Sequence, residues 1–136
     1  MAKIETIEGI GPKFRKALDK AGVRTTQGLL SAGGDKKGRK ALAKESGCTE
    51  HQILEWVNRA DLMRVKGVGE EYSDLLENSG VDTVKELRTR KPANLHAKML
   101  EVNTAKKRRL VRRPPSLSEV ERWVAHAKKL KPAVSH

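Results

Sequence analysis

The chain has 136 residues, 37% hydrophobic and 34% charged, which is enough apolar material for a core and unlike a disordered charged tail. Its aromatics are only Phe14, Trp56, Tyr72 and Trp123, so the core is aliphatic, a composition that favours helices over a sheet sandwich. Lys and Arg outnumber Asp and Glu by 29 to 17, and a net charge of +12 points to a polyanionic partner (DNA, RNA, a membrane surface or an acidic protein), with solubility as the bland alternative.

In chain order, Pro12 opens a helix, because proline lacks only an amide that the first turn leaves unpaired. Phe14, Ala17, Leu18 and Ala21 are spaced as its apolar stripe, and Gly22 ends it. Thr25 caps a short helix through Leu29 and Leu30, and Asp35 caps another reaching Ser46-Gly47. Thr49 and Gln52 form a capping box for a helix carrying Ile53, Leu54, Val57 and Ala60, which continues through Leu62 and Met63. A helix over 70–78 presents Tyr72, Leu75 and Leu76, and Asp82 or Thr83 caps the next, with Val84 and Leu87. Pro92 interrupts, and a helix with Leu95, Met99 and Leu100 follows. A basic helix is predicted over 104–112, stopped by Pro114-Pro115, with Leu110 and Val111 facing the core. Ser116 and Glu119 make a second capping box, and Leu117, Val120, Val124, Ala127 and Leu130 line one face of the last helix. No segment alternates in the manner of a strand. The expectation is an all-α fold of nine or ten short helices.

The chain also repeats itself. Shifted by 58 positions, Gly9 and Gly11 fall on Gly67 and Gly69, Ile7 and Ile10 on Val65 and Val68, and Phe14 and Leu18 on Tyr72 and Leu76. Gly22-Val23 and Thr25 fall on Gly80-Val81 and Thr83, and no gap is needed from residue 4 to residue 30. Similarity resumes where Ile53–Ala60 overlays Val120–Ala127. Trp56 and Trp123 are 67 apart, so the second copy carries about nine extra residues between 88 and 120. This predicts two tandem pseudo-repeats, 1–60 and 61–136, packed as one compact unit.

Each copy opens on two glycines flanking one apolar residue, between a helix end and a helix start. The apolar residue can lock the turn into the core, while the following amides point outward at the positive end of a helix dipole. Ile7-Glu8-Gly9-Ile10-Gly11 with Leu18, and Val65-Lys66-Gly67-Val68-Gly69 with Leu76, resemble the helix-hairpin-helix superfamily, whose hairpin amides bind nucleic-acid phosphates without reading sequence. Nearly the whole chain is similar to a prokaryotic domain of unknown function that pairs two such motifs; Asn58-Arg59-Ala60-Asp61-Leu62, Asn94-Leu95-His96 and the Trp-Val near each copy's end carry that likeness. The resemblance implies phosphate contacts at Gly9, Gly11 and Lys13, and at Gly67 and Gly69.

The two turns are unequal. The first has Lys13, Arg15 and Lys16 beside it, although Arg15 stands where the superfamily favours a small residue. The second has Glu70 and Glu71, which repel phosphate, and Lys66 before the turn, with Ser73 fitting the small position. Between 85 and 113 eleven basic residues stand against Glu86 and Glu101, a net of +9. Lys106, Lys107, Arg108, Arg109, Arg112 and Arg113 are therefore candidates for tracking a phosphate backbone. A solvated face or an acidic protein contact is the competing explanation, and a membrane surface is disfavoured because no large apolar face accompanies the charge.

Trp56 and Trp123 could stack on bases, but their matched places in the repeat favour core packing. Cys48 excludes an internal disulfide and suits a reducing compartment. No apolar run is long enough to span a membrane, and Met1-Ala2-Lys3-Ile4-Glu5 lacks the apolar region of a signal peptide, so a cytoplasmic location is expected. The histidines show no metal-ligand spacing and no nucleophile–base set or carboxylate cluster is legible, so no cofactor, metal, small-molecule substrate or enzymatic activity is expected. The sequence favours a non-catalytic, sequence-independent nucleic-acid-binding protein, DNA before RNA. The alternatives are a protein-interaction adaptor with a basic face for an acidic partner, and an accessory enzyme of nucleic-acid metabolism.

Overall fold

A computed structural model describes residues 3–7, 9–105 and 111–136. Among them are a 3-10 turn at Ile4–Thr6 and eight α-helices: α1 (Pro12–Lys20), α2 (Thr26–Gly33), α3 (Lys36–Ser46), α4 (Glu50–Leu62), α5 (Glu70–Asn78), α6 (Val84–Leu87), α7 (Pro92–Ala105) and α8 (Leu117–Lys129). Extended pairing among the described residues is confined to one isolated bridge, Lys3 with Thr25. The fold is all-α.

Side-chain caps set most of the helix starts. Thr25 accepts from the Gly28 amide at 2.9 Å, Asp35 from Gly38 at 2.7 Å and Thr83 from Glu86 at 3.3 Å. At α4 the Thr49 hydroxyl accepts from the Gln52 amide and the Gln52 side chain accepts from the Thr49 amide, both at 3.0 Å. Ser116 and Glu119 complete the same box at the start of α8. Asp82 is therefore not the cap of α6, and Pro92 is the first residue of α7.

The chain divides into two compact units, Met1–Asp61 with Ala133–His136, and Leu62–Pro132. The tail that the sequence assigns to the second copy thus packs with the first unit. Arg39, 4% exposed, donates to Gly33 O at 2.9 Å, Gly34 O at 3.0 Å and Ser135 O at 2.6 Å, and the Ser135 amide donates back to Gly34 O at 2.8 Å. The core of this unit takes Ile4, Ile7, Ile10, Leu18, Leu29, Ile53, Trp56 and Val57. In the second unit α7 packs on α5 and α8, and α6 on α8, around Leu62, Val65, Leu75, Leu76, Leu87, Met99, Val120 and Trp123.

The internal geometry of the two units recurs at the sequence offset. Ile10 N–H donates to Ile7 O and Val68 N–H to Val65 O; Val23 N–H donates to Leu18 O and Val81 N–H to Leu76 O; Leu29 N–H donates to Thr25 O and Leu87 N–H to Thr83 O. Each pair agrees within 0.1 Å.

Two further expectations differ from the structure. The basic helix does not reach 112: 106–110 lie outside the described residues, and Val111 and Arg112 are not helical. The reason is Asn103, 1% exposed, whose side chain accepts from Val111 N–H at 3.0 Å and faces Val111 O at 3.4 Å, so the backbone groups a helix would use are taken by an amide on α7. Leu117 does not join the buried face of α8; as the first helical residue it is 40% exposed, while Val120, Val124 and Ala127 are buried.

Replacing Asn103 by Ala strands buried Val111 N–H, and the expected loss is about 2 kcal/mol in urea unfolding. Glu119 provides a pH test. Its carboxyl lies below the ordinary value, chiefly because the Ser116 amide donates to it and then because Arg113 does. A folded value depressed below the unfolded one gives stability that is present above the unfolded carboxylate value and lost as pH falls through the depressed one. Unfolding midpoints measured downward from pH 6 are expected to fall less steeply in Glu119→Gln than in the parent chain.

Candidate functional site

The two glycine turns are built alike. Gly9 and Gly67 have φ of 94° and 92°, where a side chain is strained. A Cβ on Gly9 would lie 3.5 Å from Trp56 Nε1, and one on Gly67 would lie 3.0 Å from Trp123 Nε1. Each indole also meets the aromatic of the helix after the turn: Phe14–Trp56 centroids are 5.1 Å apart at 54°, and Tyr72–Trp123 centroids 5.0 Å apart at 51°. Trp56 and Trp123 are 3% and 2% exposed, so both pack in the core as the repeat implies.

Gly11 and Gly69 differ from their neighbours. Both have extended backbone, φ −87° and −107°, and a Cβ on either would meet nothing within 4 Å. Neither conformation nor internal packing requires glycine there. Each is the residue before a helix, and neither helix has a side-chain cap, unlike α2, α3, α4, α6 and α8. Pro12 has no amide and Arg15 N–H donates to Gly11 O at 2.9 Å, so the Lys13 and Phe14 amides lie in the turn that an α-helix leaves unpaired. Lys13 and Lys16 are exposed beside them, and the first turn of α1 carries no acid.

The second turn has different surroundings. Lys66 is exposed, but its backbone amide donates to His126 Nδ1 at 3.0 Å. Glu70 and Glu71 occupy the first turn of α5. Ser73 is fully buried with its hydroxyl on Glu70 O at 2.9 Å, whereas Arg15 at the matching place is half-buried.

Lys106, Lys107, Arg108 and Arg109 lie outside the described residues. Arg112 and Arg113 are exposed. Arg113 forms a bidentate pair with Glu119, both distances 3.1 Å, so part of its charge is answered within the unit. Tyr72 Oη donates to Arg113 O at 2.9 Å, and burial raises that hydroxyl's pKa. The structure thus ties the end of the basic stretch to α5, the helix that follows the second glycine turn. The Tyr72 link and the His126 contact carry no periodicity or composition signal; only the alignment of His126 with Arg59, which lies 3.7 Å from the Cβ position of Gly9, hints at the latter.

Among the described residues no group of three His, Cys, Asp or Glu is placed to hold a metal, and no helix is long and apolar enough to cross a membrane.

A domain of unknown function, DUF4332, matches residues 8–130, and the chain belongs to that family. No curated protein and no solved structure matches the chain.

The two glycines of the first turn are separable by stability. Gly9→Ala forces a side chain to positive φ and is expected to cost about 1–2 kcal/mol. Gly11→Ala is expected to cost under about 1 kcal/mol, as an ordinary helix-cap change. Urea unfolding of both variants checks the contrast.

Proposed function

We propose that this protein binds the phosphate backbone of nucleic acid, DNA in preference to RNA, without reading sequence and without catalysis. One observation carries the reading: α1 begins at a glycine that neither its φ nor its packing requires, with no side-chain cap, no acid in its first turn, and Lys13 and Lys16 exposed alongside. A glycine standing where a side chain would fit leaves room for close approach by an outside group, and unpaired amides at a helix start suit an anion. The positive-φ glycine, the buried apolar residue after it and the uncapped helix agree with a helix-hairpin-helix motif in each copy.

In this reading the first turn is the principal contact. Arg112, Arg113 and the preceding Lys106, Lys107, Arg108 and Arg109 add long-range attraction. The second turn contributes less, because Glu70 and Glu71 oppose phosphate and His126 occupies the Lys66 amide. Lys66, Gly67 and Gly69 are subsidiary positions.

Fluorescence anisotropy on a labelled duplex across a salt series tests this. The parent chain is expected to bind with a steep salt dependence and no preference between unrelated sequences. Lys13→Glu should weaken every duplex by about tenfold and lower the salt slope by about one unit. Gly11→Ala should weaken binding while leaving stability nearly unchanged. Failure to bind duplex, single strand or RNA at low salt overturns the reading.

A further inference from the structure

A cavity of about 330 Å³ in the second unit is lined by Ser79, Thr89, Arg90, Lys91, Asn94, Leu95 and Lys98, with no carboxylate among them. The contrast with a cavity of about 370 Å³ in the first unit is chemical: that one mixes Lys3, Arg15 and Arg24 with Glu5 and Asp19, and Arg24 is paired with Asp19. In the second unit Arg90 is held across the wall by Glu86, at 2.8 Å, and by Gly80 O, at 2.9 Å. Lys91 and Lys98 are exposed, and neither ammonium has an ion pair or hydrogen bond among the described residues. The cavity therefore keeps two uncompensated positive charges after Arg90 is answered by Glu86.

The hydroxyls narrow the ligand further. Ser79 Oγ donates to Leu75 O at 2.8 Å and Thr89 Oγ1 to Glu86 O at 2.7 Å. Their protons are committed, so toward the cavity both oxygens can only accept. A ligand that satisfies this lining carries a compact charge near −2 and hydroxyl donors beside it. A phosphate monoester on ribose has both, since its second proton leaves near neutral pH, whereas an internal DNA phosphodiester has one charge and no free hydroxyl, and an internal RNA phosphodiester keeps a 2′-hydroxyl but has only one charge. Thr89 to Lys98 also lie within the stretch where the second copy departs from the first, so the lining is not a by-product of the shared plan.

We propose that this cavity binds a sugar phosphate monoester, with Lys91 and Lys98 countering the phosphate and Ser79 and Thr89 accepting from the sugar. Its two sources are a free ribonucleotide and the 5′-phosphorylated end of an RNA strand, whose terminal ribose keeps its 2′-hydroxyl. The proposal is independent of duplex binding by the first glycine turn.

Amide ¹⁵N–¹H spectra of the full chain, titrated with a nucleoside 5′-monophosphate and with the matching nucleoside, test the site. Matched RNA single strands with 5′-phosphate or 5′-hydroxyl ends run beside them. Saturable shifts at Thr89, Asn94 and Lys98 with the monophosphate but not the nucleoside are expected. Lys91→Gln/Lys98→Gln, both exposed positions, should weaken this binding about tenfold, and Lys13→Glu should leave it unchanged. A gain from the 5′-phosphate on the strand identifies a chain end as the source; monophosphate binding without that gain identifies the free nucleotide. Absence of saturable shifts, shifts spread over all lysines, or no effect of the double variant overturns the proposal. Loss of duplex binding in Lys13→Glu alone bears only on the first turn.

Discussion

Both units depend on a tryptophan packed under a glycine that adopts positive φ. The indole of Trp56 or Trp123 lies close enough to Gly9 or Gly67 that a methyl group there would touch its nitrogen, and it packs at a tilt against Phe14 or Tyr72 on the helix that leaves the turn. Contacts of this kind are worth about 0.5–1.5 kcal/mol beyond the area they bury. Their geometric effect is larger than their energy, because the turn and the helix after it are held by one ring. The aromatics are few, and all four are used in these two pairs.

That support allows the start of α1 to remain uncapped. The side-chain-capped helices are stabilised at their first turn by a hydroxyl, carboxylate or amide oxygen, each worth about 1 kcal/mol. At α1 and α5 the position is glycine, and the starts are held instead by the buried Ile10 and Val68 and by the aromatic pair. The same scaffold serves different surroundings: lysines and free first-turn amides in one unit, carboxylates and a histidine-bound amide in the other. In the second unit the end of the basic stretch and the residues just after it are pinned repeatedly. Asn103 holds Val111, Tyr72 holds the Arg113 carbonyl, Glu119 holds the Arg113 guanidinium, and His96 Nε2–H donates to Pro115 O at 2.9 Å. Arg112 and Arg113 therefore project from fixed backbone.

Much of this was legible because it is local. Thr25, Asp35, Thr49 with Gln52, and Ser116 with Glu119 act within three residues of themselves, and a cap needs no tertiary partner to be recognised. The apolar stripe of α1 and the matched tryptophans follow from helical period and from the repeat. The end of the basic segment is not legible in the sequence because the residues' local propensity permits a helix there, while a buried amide on α7 takes the backbone of Val111 instead. Leu117 has the spacing of the buried face of α8, yet it stands at the helix start, outside the packed portion.

The sequence by itself determined the all-helical class, the helix starts, the doubling of one plan and the positions of the four turn glycines, because these depend on residues near one another in the chain or on a register of 58 that no folding is needed to detect. It also singled out Lys13 and Lys16. Only the tertiary structure decided which glycine of each turn is conformationally required, that His126 occupies the Lys66 amide, that Tyr72 anchors Arg113, and that Ser79 joins Thr89, Lys91 and Lys98 around one cavity. Those facts depend on contacts between residues far apart in sequence, and neither periodicity nor composition encodes which distant side chain arrives at a given backbone group.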